Sequence, residues 1–95
     1  EAWGMGEYGD QKLPKELMIL VSKRTRVLRK QGKMSQKELS ERSGVSYASV
    51  RKFESTGIIS LESFLKLWET LKRLTDFESI LLPNDMKRKK ELFNY

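Results

Sequence analysis

Four side chains in one short stretch carry groups suited to contacting a polyanion's edges. Tyr47 supplies a hydroxyl, Arg51 and Lys52 two cations, and Ala48 a side chain small enough for close approach. At about 100° per residue, all four lie opposite Val50 and Phe53, which stand three apart and form an apolar stripe. A short helix held by that stripe turns an aromatic hydroxyl, a methyl and two cations outward. This is the layout of a helix lying in a DNA major groove. Arg51 and Lys52 are the base-edge or phosphate cations. Tyr47 donates or accepts through its hydroxyl and offers a ring edge to a thymine methyl.

The elements that must position these residues are legible on either side. Ser35 with Glu38 three residues on forms a capping box and opens a helix, with Leu39 as its inward anchor. Gly44 ends that helix where a left-handed backbone is wanted, which glycine adopts without a Cβ clash. Val45 follows as an apolar plug, and Ser46 caps the next helix, over 46–54. The result is two short helices joined by a tight glycine turn.

This segment resembles the helix-turn-helix of the phage repressor/Cro-like (XRE) family. Gln36 stands where that family has Gln at the start of the motif, and Leu39, Gly44, Val45, Val50 and Phe53 fall on its apolar and glycine positions. Arg29 and Glu54 fall on a pair that in many members joins the first helix to the end of the recognition helix, which the resemblance implies is a structural ion pair. The likeness spans roughly Leu17 to Leu82. Ser40 departs from the family's preferred Ala, and the charged C-terminal segment falls outside the likeness.

Composition narrows the function. The chain has 95 residues, a net charge of +6 and a pI near 9.7, which suits a polyanionic partner. It has no Cys and no His, which removes disulfides, zinc sites and histidine general-base chemistry. No metal or cofactor is expected. No phosphate-binding glycine loop or nucleophile elbow occurs, and the carboxylates fall singly on polar helix faces, so the chain reads as a non-enzyme. No apolar run reaches the length of a membrane span. Absence of Cys fits a cytoplasmic location, and the resemblance points to a prokaryotic or phage origin.

The remaining chain yields three more helices. Pro14 suits a first helical turn, and Leu17, Leu20, Val21 and Leu28 give helical spacing to about Lys30, with Lys23, Arg24, Arg26 and Lys30 on the other face and Gly32 as the break. Ser55-Thr56-Gly57 reads as a turn, with Ile58 and Ile59 over the core edge. Ser60 caps a helix whose core stripe is Leu61, Phe64, Leu65, Trp68 and Leu71. Thr75 and Glu78 read as a second capping box, opening a short helix that ends near Leu82.

The expectation is an all-α, compact five-helix repressor-like domain over 13–82, between an N-terminal arm at 1–12 and a basic tail at 83–95 carrying Lys87-Arg88-Lys89-Lys90. The expected function is sequence-specific binding of double-stranded DNA and transcriptional regulation. Gln36, Lys37, Ser46, Ser49 and Thr56 are the candidate phosphate contacts, which fix orientation rather than sequence. The resemblance further implies a homodimer through the last helix, at Phe77, Ile80 and Leu81. Two alternatives stand beside this reading: an antitoxin that binds its operator and a toxin, the latter through the arm or the tail, and a protein-interaction module without DNA function.

Overall fold

The computed structural model describes residues 12–83, which form five helices: α1 (Pro14–Gln31), α2 (Gln36–Ser43), α3 (Tyr47–Thr56), α4 (Leu61–Thr70) and α5 (Leu74–Ser79). There is no strand among the described residues. Residues 1–11 of the arm and 84–95 of the basic tail, with its four consecutive cations, lie outside them.

Local chemistry sets most boundaries. Pro14 occupies the first turn of α1, and Glu16 Oε1 accepts from the Leu13 N–H at 2.8 Å. Ser35 Oγ accepts from the Glu38 N–H at 3.0 Å while Glu38 Oε1 accepts from the Ser35 N–H at 2.8 Å, a complete capping box on α2. Ser46 and Ser60 cap α3 and α4 through the N–H groups of Ser49 and Ser63. Gly44 and Gly57 close α2 and α3 in the left-handed region, at φ +81° and +82°. Ser55 and Thr56, expected in a turn, are instead the last residues of α3, and only Gly57 turns the chain.

The core gathers Met34, Leu39, Val45, Val50, Phe53, Phe64 and Leu67. Phe64 sits at its aromatic centre, edge-on to Phe53 at 6.0 Å and to Phe77 at 5.7 Å, and tilted against Trp68 at 5.0 Å. Val21, Ile59, Leu65, Trp68 and Leu71 are half-buried around it.

Four expectations are corrected here. The buried face of α1 is Ser22, Thr25 and Arg29, while Leu17 and Leu20 are exposed. Leu61 is exposed at the first position of α4, and Leu67, absent from the expected stripe, is fully buried. Ile58 is exposed, leaving Ile59 alone to cover the core edge. Thr75 caps nothing: α5 begins at Leu74 behind Arg73, which has no side-chain cap bond and instead pairs with Asp76 at 3.2 Å, and the helix ends at Ser79.

Candidate nucleic-acid interface

The orientation of α3 follows from its buried side. Val50 and Phe53 retain 0% and 1% exposure, so the helix can rotate in neither direction without opening the core. Tyr47, Ala48, Arg51 and Lys52 are all exposed on the side away from them. The Arg51 guanidinium lies 5.6 Å from the Tyr47 ring centroid, a cation–π contact between successive turns of the helix. Ala48, Arg51 and Lys52 line a shallow groove with Gln36 from α2 and with Ser55. Ser55 was missed at the sequence level, although its place three and four residues beyond Lys52 and Arg51 puts it on the same face.

A clamp fixes the far end of α3. Arg29 Nε donates to Glu54 Oε2 at 2.7 Å and Nη2 to Oε1 at 3.0 Å, a bidentate pair whose side chains keep 8% and 4% exposure. The remaining Arg29 nitrogen, Nη1, donates to the Met34 carbonyl at 2.8 Å, so the cation also holds the α1–α2 connection. Gln36 Nε2 donates to Glu54 Oε1 at 3.0 Å. One carboxylate thus ties α1, α2 and α3 together. No buried side-chain polar atom among the described residues lacks a partner, which is what makes a charge pair tolerable at this depth.

The glycine turn is braced in the same manner. Ser40 Oγ donates to the Val45 carbonyl at 2.6 Å. The hydroxyl that replaces the family's methyl here is spent on a backbone group inside the turn.

The five candidate phosphate contacts fall into different environments. Lys37 is exposed in the first turn of α2. Gln36 is half-buried, with one amide hydrogen directed at Glu54. Ser46 Oγ caps α3 and donates to Ser49 Oγ at 2.8 Å. Thr56 Oγ1 donates to the Lys52 carbonyl at 2.6 Å and accepts from the Ile58 N–H at 3.1 Å, so its hydroxyl is used within the α3 terminus. At the other expected contact region, Phe77 packs inward on Phe64, while Ile80 and Leu81 are exposed.

No helix among the described residues is long and apolar enough to cross a membrane, and no group of three potential metal-ligating side chains occurs among them. A family model described as helix-turn-helix matches residues 26–76, more than half of the 95-residue chain. No curated protein and no solved structure matches the chain significantly. The matched span runs from within α1 into α5 and contains the glycine turn, the outward face of α3 and the Arg29–Glu54 clamp. On that match the chain belongs to the phage repressor/Cro-like (XRE) helix-turn-helix family of DNA-binding regulators.

Proposed function

We propose that the protein binds double-stranded DNA sequence-specifically and regulates transcription, with α3 laid in the major groove. One observation carries this reading. The face of α3 opposite its buried stripe holds Tyr47, Ala48, Arg51 and Lys52, all exposed, on a helix whose rotation and far end are both fixed. A preorganised helix loses little entropy on docking, so its cations are available for base-edge contacts.

In this reading Arg51 and Lys52 contact base edges. The Tyr47 ring supports the Arg51 guanidinium, which leaves fewer rotamers to freeze on binding. Lys37 and the free amide hydrogen of Gln36 approach phosphates from the start of α2, and Ser49 offers its hydroxyl hydrogen. Ser46 and Thr56 are the weakest of the phosphate candidates, because each uses its hydroxyl hydrogen and one lone pair internally.

Selection from a random duplex pool tests this directly. The expected result is enrichment of one motif, bound with log affinity that falls with log salt at about −0.9 per phosphate neutralised. A pool that stays random after repeated rounds removes sequence specificity from the reading.

A further inference from the structure

Helix α1 is built inside out. Its buried face is Ser22, Thr25 and Arg29, and a row of apolar residues on the opposite side faces solvent: Leu13, just before the helix, is 67% exposed, Leu17 46%, Leu20 42% and Val27 48%, while Leu28 is half-buried. With Arg24 the exposed residues of this row stand at 13, 17, 20, 24 and 27, in alternating steps of four and three. That spacing averages 3.5 residues and forms a single seam, the geometry by which two helices pack along their length. Leu17 also edges an apolar groove shared with Leu61 and Ile80, so the exposed apolar surface continues onto α4 and α5. A monomeric surface rarely leaves so contiguous an apolar stripe in water.

We propose that this seam binds a second copy of the chain, α1 against α1, antiparallel about a two-fold axis. The register follows from the residues. With Leu17 of one copy facing Leu20 of the other, symmetry repeats the contact, and Leu13 meets the aliphatic stem of Arg24 at both ends. Glu16 and Lys23 flank the seam on one side. In this antiparallel register Glu16 of each copy lies beside Lys23 of the other, giving two opposite-charge contacts. A parallel pairing fails on both counts. It stacks Arg24 on Arg24 in the seam, and it places Glu16 beside Val21, which is packed on the core. The basic tail is a poor occupant, because it would lay four more cations along a helix that already carries Lys23, Arg24, Arg26 and Lys30, whereas the antiparallel second copy keeps Lys23, Arg24 and Arg26 of the two chains at opposite ends of the seam.

Sedimentation of the free 95-residue chain tests the proposal independently of DNA binding. The wild type is expected to form a concentration-dependent dimer. Leu20→Glu should be monomeric, with the thermal melt that the wild type shows at concentrations too low for the dimer to form, because residue 20 already faces water. Lys23→Glu alone should raise the dimer dissociation constant about tenfold, since two attractive contacts become two repulsive ones. Glu16→Lys alone should weaken it similarly. An equimolar mixture of these two variants should recover wild-type dimerisation, because both cross-contacts are then of opposite charge. Glu16→Lys also removes the bond to the Leu13 N–H, but the mixture is compared with the same chains alone, so that loss cancels. Three results would overturn the proposal. They are a wild type that stays monomeric, a dimer lost with Ile80→Glu but kept with Leu20→Glu, and a dimer that appears only when residues 1–11 are deleted. The last would mean that the arm covers the seam.

Discussion

The indole N–H of Trp68 donates to Thr25 Oγ1 at 2.9 Å, and the same Thr25 hydroxyl donates to the Val21 carbonyl at 2.8 Å. This pair explains why α1 can bury a polar face. Ser22 donates to the Ile19 carbonyl at 2.7 Å, and Arg29 is fully engaged with Glu54 and Met34, so each buried polar group on α1 has its partner. Thr25→Val or Trp68→Phe should each cost about 1 kcal/mol, the net worth of a neutral hydrogen bond plus an unpaired remnant. The double variant should cost less than the sum, read from urea unfolding.

Breaking the clamp should cost more. Arg29→Met leaves the Glu54 carboxylate buried with only Gln36 as a side-chain donor, and Glu54→Met leaves the guanidinium without its anion. Each should destabilise by about 3–5 kcal/mol, because an uncompensated buried charge remains. The paired variant should recover part of the loss. A double-mutant cycle with no coupling would show the two groups to be energetically independent despite their 2.7 Å approach.

The two left-handed glycines should respond differently to Ala. A Cβ on Gly44 would meet nothing within 4 Å, so Gly44→Ala should cost about 1 kcal/mol from backbone conformation alone. A Cβ on Gly57 would lie 2.8 Å and 2.9 Å from the backbone carbon and oxygen of Met18. Gly57→Ala must therefore displace α1 as well, and its melting temperature should fall clearly below that of Gly44→Ala.

Two leucines of α4 separate burial from mere apolarity. Leu67 is fully buried and Leu61 is exposed. Leu67→Ala should cost about 2–5 kcal/mol through lost contacts and a cavity. Leu61→Ala should stay within about 0.5 kcal/mol of the parent. Equal shifts in the denaturation midpoint would contradict the burial of Leu67 and the exposure of Leu61.

Arg51→Ala and Lys52→Ala should lower affinity for the selected site more than for random duplex. Loss of a good base contact removes about 1–3 kcal/mol of discrimination. Lys37→Ala should weaken both alike, as a phosphate contact does, and reduce the salt slope by about one. Titrations on specific and scrambled duplexes distinguish these outcomes. Uniform weakening by the α3 variants would place specificity elsewhere on the surface.

The helix-turn-helix was legible because its signals are local. Ser35 with Glu38, Gly44 and Ser46 each act within four residues, and the spacing of Val50 and Phe53 orients α3 without reference to the rest of the chain. The tertiary structure decided what local spacing could not. Periodicity places Leu17 and Leu20 on one face of α1, but which face is buried depends on what α3 and α4 offer it. They offer Glu54 and the Trp68 indole, so Arg29 and Thr25 turn inward and the leucines turn out. On α4, Leu61 and Leu65 fit the apolar stripe as well as Leu67 does. Capping by Ser60 puts Leu61 in the first turn, at the edge of the fold, whereas Leu67 reaches the centre. Thr75 had the composition of a cap, but the chain leaving α4 had already started α5 at Leu74. Capping and turn chemistry are written in neighbouring residues, whereas the choice of buried face is made by distant partners that the chain meets only after it folds.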